Sequence, residues 1–209
     1  MVTAQEGTGL SLLLVDLSAP GVTRIPAETI DPSRNHATLA FADVPVEQLG
    51  AAEQADALIA RVFDRTAVLV AFEQVGGSDR ALTMARDYAV ERMAFGRPIG
   101  SFQAIKHMLA DMYATNVLAR SNAYYGAWAL NCNATELPRA AATARVSATT
   151  AYQRCARDNM QVHGGMGFTW ELDCHLHYRR SNLLAVALGG LGEWENRLVA
   201  HIDADAQAA

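Results

Sequence analysis

The run Gln161-Val162-His163-Gly164-Gly165-Met166-Gly167-Phe168 carries three glycines in four positions. Their missing side chains open one face of a turn, so a flat or phosphorylated ligand can reach backbone N–H groups directly. Taken alone, the run also fits a helix-to-helix turn in which Gly164 and Gly165 supply left-handed caps. A second unusual stretch lies one long helix pair upstream, Arg92-Met93-Ala94-Phe95-Gly96-Arg97-Pro98-Ile99-Gly100-Ser101-Phe102-Gln103. The occurrence of both in one chain favours a binding role for each.

Other site chemistries find less support. His163-Gly164-Gly165 is similar to a lipase oxyanion loop, but no Gly-x-Ser-x-Gly nucleophile elbow occurs in the chain. Asp173, His175 and His177 sit two residues apart, and such side chains diverge on a helix, so no metal is expected there. A di-iron bundle would require Glu-x-x-His pairs, which are missing. The net charge of −5 and the scattered arginines give no surface for nucleic acid. Sixteen of the 17 basic residues are arginine, which reads as compositional bias. Cys132, Cys155 and Cys174 are odd in number and lack C-x-x-C spacing, so reduced and mostly buried thiols are expected. No signal peptide is recognisable, and no apolar run reaches the length of a membrane span. The expectation is a soluble, cytoplasmic protein.

The elements that must position these residues fall into two parts. Leu10 to Asp16 is an apolar run, Ala19-Pro20-Gly21-Val22 a turn, and His36 to Phe41 a second strand-like run before Val44-Pro45-Val46. Two or three strands cannot bury their faces alone, so residues 1–47 read as the end of a β-domain whose beginning lies outside the chain. Residues 48–209 follow a 3.6 period. The first helix is predicted from Ala57 to Met93, with Val68, Leu69, Phe72, Val75, Leu82 and Ala85 inward and Gly76-Gly77 available for close packing. The second is predicted from Phe102 to Leu130, with Ser101 as N-cap and Ile105, Met108, Leu109, Met112 and Val117 inward. A third covers Arg139 to Val162, a fourth starts near Glu171 and carries Leu176, Leu183 and Leu184, and a short fifth covers Glu193 to Ile202, with a frayed end from Ala204. Long helices joined by short loops make a mainly α fold, an antiparallel four-helix bundle preceded by a few β-strands.

Read as whole motifs, Tyr88 to Ile99 with Phe102 to His107 resembles the "R..FG.PI..FQ" signature of acyl-CoA dehydrogenases. Gln161 to Phe168 with His177-Tyr178-Arg179-Arg180 is similar to the family's "Q.HGG.G" turn and the helix after it. Leu10 to Pro20 followed by Ala40 to Val44 resembles the end of its middle β-domain. The resemblance implies FAD as cofactor, bound across a subunit interface, and a bundle that also builds a tetramer. It places Arg92 at the FAD pyrophosphate, which a planar guanidinium suits. Phe95, Phe102 and Gln103 would line the adenosine half; Gln161 and the backbone of His163, Gly164 and Gly165 would hold the far end. Read without the family, Arg92 is a helix-end cation, Phe95 and Phe102 are core aromatics and Gln161 is a C-cap partner. Ala94 departs from the polar residue many members have near that position.

The family's reaction removes the α-proton of an acyl thioester with a carboxylate while hydride leaves the β-carbon for the flavin, which calls for a desolvated Glu. Alignment on Arg179 puts Leu188, followed by Gly189-Gly190, at the usual base position. The alternative position on the first bundle helix is Thr66. Neither side chain can take a proton. Among nearby acids, Asp64 is the first candidate for a displaced base, against the plainer role of a helix-dipole acid. Glu73 lies two turns from Thr66, and Glu193 lies beyond the glycines. The resemblance therefore implies a subunit or fragment of an acyl-CoA dehydrogenase that contributes FAD and tetramer contacts to an α,β-desaturase without carrying the base. Its partners would be a homo- or hetero-oligomeric neighbour, an acyl-CoA substrate and an electron-transfer flavoprotein. A competent truncated dehydrogenase using Asp64, or a helical assembly subunit without flavin, are the alternatives.

Overall fold

Short apolar runs between turn residues give extended chain at the start of the protein. The computed structural model describes residues 1–6 and 9–208. Five strands occur before residue 50, β1 (Val2–Glu6), β2 (Gly9–Val15), β3 (Val22–Ala27), β4 (His36–Phe41) and β5 (Val46–Gln48). β1, β2 and β5 form an antiparallel sheet in that order, with Thr3 opposite Leu12 and Leu14 opposite Glu47. β3 and β4 form a separate hairpin in which Ile25 faces Thr38. β2 and β4 lie where their apolar runs predict them. β1 and β3 are unexpected from sequence, because Thr, Gln and Arg interrupt their apolar residues and Pro26 marks β3 as the kind of strand found at a sheet edge. These strands belong to a compact unit covering Met1–Phe63; a second covers Asp64–Ala209.

Five helices carry the rest: α1 (Ala55–Glu91), α2 (Gln103–Asn131), α3 (Leu137–His163), α4 (Cys174–Val186) and α5 (Leu191–Ala208). The protein is mainly helical, as its 3.6 period predicts. Alanine fills the centre of the bundle. Ala71 and Val75 of α1 pack on Ala119 and Ala123 of α2 and on Ala144 and Ala148 of α3. Ala81, Ala85 and Ala89 meet Met112, Cys155 and Val162 farther along. The pairing runs up α1 as it runs down α2 and up again along α3, so successive long helices are antiparallel. Small side chains let the backbones approach closely, and Gly77 extends this by accepting the ring of Tyr152.

Several expected details differ. Leu69 is 64% exposed and Val117 39% exposed, because both helices have apolar residues on more than one face and periodicity does not say which face is covered. Gly76 has open space around it, so only Gly77 is a close-packing glycine. Ser101 is not the cap of α2; that position is Phe102, with no side-chain cap bond. α4 begins at Cys174 because residues 170–173 form turns. α5 is longer than expected at both ends and continues through the segment expected to fray; Ala209 lies outside the described residues.

Candidate functional site

α1 ends in a two-strand hairpin that the helical pattern conceals. The Arg92 N–H still donates to the Tyr88 carbonyl, and the Ile99 N–H donates back to the Arg92 carbonyl, both at 2.8 Å. Between them β6 (Met93–Ala94) pairs with β7 (Arg97–Pro98) around Phe95-Gly96. Both turn residues are left-handed, at φ 52° and 78°, as a two-residue hairpin of this hand requires. Phe95 is an unusual occupant of that conformation and its ring is 95% exposed. α3 ends at Gly164, also left-handed at φ 58°, and the chain continues as a 3-10 turn over Gly164–Phe168.

The two motifs meet. A cavity of about 430 Å³ is lined by Tyr88, Arg92 and Ile99 from one and by Val162, His163, Gly164, Gly165 and Met166 from the other. No side chain occupies the space above Gly164 or Gly165, where an added Cβ would meet nothing within 4 Å. His163 contributes more than backbone. Its buried imidazole stacks on Tyr88 at 4.1 Å between ring centroids, and its Nδ1–H donates to the Asn159 carbonyl at 2.8 Å. This pair ties the two motifs together at the cavity wall. Among the described residues the Arg92 guanidinium has no hydrogen-bonding or ionic partner, and no carboxylate lines the cavity. A cation without counter-charge beside glycine backbone that no side chain covers is suited to an anion such as a phosphate.

The other expected residues lie outside this cavity. Gln161 is exposed at the end of α3, where its carbonyl accepts the Gly164 N–H. Phe95 and Phe102 meet edge to face at 6.1 Å, and the Arg97 guanidinium sits 4.1 Å over the Phe102 ring. Gln103 follows at the first turn of α2 and donates from Nε2 to Nε2 of His107 at 2.6 Å. Phe95, Arg97, Gln103 and His107, all exposed, thus form with the half-buried Phe102 an aromatic and polar group joined to the cavity through the hairpin. Tyr88, Arg97, Ile99, His107, Val162 and Met166 are the members to which residue-by-residue reasoning assigned no role, although all six fall within the quoted motifs.

Residues 57–201 match the model of the acyl-CoA dehydrogenase C-terminal domain. The chain belongs to the acyl-CoA dehydrogenase family. It is 37% identical over 179 residues to acyl-CoA dehydrogenase IpdE2 of Mycobacterium tuberculosis, covering 85% of this chain and 51% of that protein. It is 29% identical to the human mitochondrial short-chain specific acyl-CoA dehydrogenase, covering 89% of this chain and 46% of the relative. The chain therefore spans about half the length of the curated relatives it matches. Among solved structures, a variant of the Tcur3481-Tcur3483 steroid ACAD superposes with a TM-score of 0.87 at 28% identity, covering 99% of this chain and 55% of the other. The ChsE4-ChsE5 complex of Mycobacterium tuberculosis does so with a TM-score of 0.85 at 27% identity, covering 97% and 54%.

In this acyl-CoA dehydrogenase chain the two positions implied for the base remain without an acid, and Glu73 and Glu193 nearby are both engaged. Leu188 is half-buried just beyond α4, and its carbonyl accepts the Trp194 indole N–H at 2.9 Å. Gly189 turns left-handed at φ 91°, and Glu193 folds back into the space its missing side chain leaves, with Cδ 2.9 Å from where a Cβ would stand. Glu193 also accepts from Arg197 at 3.4 Å, and the Arg197 guanidinium lies 4.8 Å over Trp194. Glu73 is paired with Arg180 at 3.0 Å. Asp64 lies well inside α1, whose first-turn acid is Asp56, so the helix-dipole role does not apply to it. Burial raises the Asp64 pKa, against the charges of Arg197 and His201 on α5, which lower it. Desolvation of this kind gives a carboxyl group more basic character, and Asp64 is the one acid here that shows it.

Behind α4 lies a buried cation. The Arg145 side chain is 1% exposed; it donates to Gln74 Oε1 at 2.7 Å, to Thr149 Oγ1 at 3.1 Å and to the Leu184 carbonyl. Burial lowers its pKa to about 10. Arg145 thereby fixes the last turn of α4, directly before Leu188. Among the described residues no group of three or more metal-ligating side chains occurs, and no helix is long and apolar enough to cross a membrane.

Proposed function

We propose that this chain is the base-deficient partner in an FAD-dependent acyl-CoA dehydrogenase assembly, contributing a cofactor site and subunit contacts to the α,β-desaturation of an acyl-CoA. The observation that carries the reading is the cavity joining Arg92 to Gly164-Gly165, together with the lack of a carboxylate at Thr66 and Leu188. The residues fit the cofactor chemically. Arg92 supplies an unpaired planar cation for the pyrophosphate, Gly164 and Gly165 leave room for close backbone approach, and Phe95 and Phe102 offer ring faces for the adenosine half. Gln161 stands beside the glycine turn with an amide to offer the far end. FAD, when bound, accepts the hydride from the β-carbon.

The chain's own part is binding and orientation. The Tyr88–His163 stack holds the glycine turn against the end of α1, so the cation and the uncovered glycine backbone keep a fixed separation. At the Leu188 end, Trp194 and Arg145 fix the backbone, while no group is placed to take the α-proton. That proton is taken by a carboxylate of the partner subunit, and electrons leave through an electron-transfer flavoprotein. The match to structures of the ChsE4-ChsE5 complex and of the Tcur3481-Tcur3483 steroid ACAD supports a heteromeric assembly, most simply a heterotetramer, and makes a polycyclic acyl-CoA the first substrate to assay.

The test is the mass and flavin content of the protein isolated from its native host through a tag on this chain. An FAD-loaded complex containing a second acyl-CoA dehydrogenase chain with the glutamate is the expected result. A preparation without flavin and without a partner refutes it and favours an assembly role alone. The raised pKa of Asp64 favours one second reading, a longer homomeric enzyme in which Asp64 is the base. That reading fails if Asp64→Asn retains full turnover.

A further inference from the structure

Past the glycine turn the chain builds a second aromatic and cationic group. The Thr169 N–H and Oγ1–H both donate to the Met166 carbonyl, at 3.1 and 2.8 Å, and close the 3-10 turn just ahead of Trp170. The indole then lies against α4. His175 meets it edge to face at 4.6 Å between ring centroids, and the Arg179 guanidinium sits 4.5 Å over the ring. His175 and Arg179 stand one helical turn apart and so share a face of α4. Both are half-buried, whereas Trp170 is 72% exposed, so most of the indole surface is left uncovered. Among the described residues Arg179 has no hydrogen-bonding or ionic partner. A ring held in place beside an uncompensated cation fits a base and its phosphate.

We infer that Trp170 and Arg179 form an adenine-nucleotide subsite, in which the base stacks on the indole and a phosphate oxygen accepts from the guanidinium. Stacking uses the π-face that every base has, and a guanidinium is always a donor, so neither contact depends on where a proton sits. Arg92 with the rings of Phe95 and Phe102 already supplies a cation and aromatic faces for one nucleotide. The Trp170–Arg179 pair is a second such set. Two ligands of the reading proposed above carry adenine beside phosphate, FAD and the acyl-CoA; the inference rests on that reading for its ligands. A Trp–Arg pair that merely ties the turn to α4 would act on stability and on no ligand in particular.

The experiment uses the assembly purified through this chain. Flavin-loaded protein is titrated by calorimetry with adenosine 3′,5′-bisphosphate, the nucleotide end of coenzyme A, and flavin-stripped protein is titrated with FAD by flavin fluorescence. Trp170→Ala should weaken one of the two about fivefold to a hundredfold, the range that a lost base stack gives, and leave the other unchanged. Trp170→Phe keeps a ring face and should recover most of the loss. Arg179→Gln should weaken the same ligand and flatten the salt dependence of its affinity. Loss for the bisphosphate alone assigns the subsite to the acyl-CoA, and loss for FAD alone assigns it to the cofactor. Equal loss for both, or a fall in Tm with neither affinity moved, shows a structural pair and overturns the inference. Unchanged affinities throughout overturn it as well. If wild type binds no flavin, the flavin reading falls, and the bisphosphate titration of the same protein still decides this one; binding of neither nucleotide overturns both.

Discussion

Adjacent glycines in the middle of α1 provide a controlled test of the packing described above. Gly76 and Gly77 share the same helix and almost the same intrinsic cost, since glycine in a helix interior is about 0.8–1.0 kcal/mol less favourable than alanine. Their surroundings differ. A Cβ at Gly76 meets nothing within 4 Å, whereas one at Gly77 would stand 2.7 Å from the Tyr152 hydroxyl oxygen and 2.8 Å from its Cε2. Tyr152 cannot step aside cheaply, because it is 2% exposed, packs with Ala156 and Leu184, and has its hydroxyl 3.3 Å from His177 Nδ1. Gly76→Ala should therefore stabilise by roughly 0.5–1 kcal/mol. Gly77→Ala gains the same propensity but incurs overpacking of about 1–3 kcal/mol, so it should be destabilised by up to about 2 kcal/mol. In a protein of this size 1 kcal/mol moves Tm by about 2–4 °C. Thermal unfolding followed by circular dichroism should then show Tm rising in the first variant and falling in the second. Equal shifts of one sign would refute the close approach of α1 and α3 at Gly77.

Three further outcomes follow from the site. Arg92→Ala removes an exposed, unpaired cation, so it should leave Tm unchanged while weakening FAD binding about tenfold to a hundredfold, read by flavin fluorescence. The Asp64 carboxyl has a folded pKa above its unfolded value; the stability it contributes is present below the unfolded pKa of about 3.8 and is lost as pH rises through the folded one. Asp64→Asn should accordingly be more stable than wild type at neutral pH, with the gap closing as the solution is made acidic, and a gap that does not depend on pH would contradict this. Leu188→Glu in an assembly whose partner base has been removed should restore exchange of the acyl-CoA α-proton with deuterated solvent, measured by mass spectrometry; no gain over the same assembly with Leu188 would mean that residue 188 does not face an acyl thioester.

The long helices were legible because alanine and larger apolar residues recur with a helical period over many turns, and the structure sets α1, α2 and α3 within about two residues of that reading. What the period could not decide was which face is covered, as Leu69 and Val117 show. The β6–β7 hairpin escaped notice because each strand has two residues, too few for any alternation, and because its turn uses Phe95 where asparagine or glycine is the usual signal. The cavity was half legible. Arg92 and the glycines stand out by type, but the stacking of Tyr88 on His163 joins residues distant in sequence, and an aromatic beside a histidine motif gives no local sign of that contact. Gln161, Phe95, Phe102 and Gln103 came from the resemblance and lie around the cavity's outside. The pairing of Glu73 depended on Arg180 arriving from α4, and the folding of Glu193 onto Gly189 depended on a left-handed turn that the sequence does not announce.

The indole of Trp194 has a use independent of any ligand. Of the three tryptophans, Trp128 and Trp170 are exposed to solvent, at 50% and 72%, while Trp194 is 1% exposed, with its N–H on the Leu188 carbonyl and a guanidinium over its ring. A soluble quencher such as iodide should extinguish the first two and spare the third. The residual blue-shifted emission then reports on a single peptide carbonyl at the position where the family's base would stand. The protein thus contains an optical probe of that segment, readable before and after a partner or an acyl thioester is added.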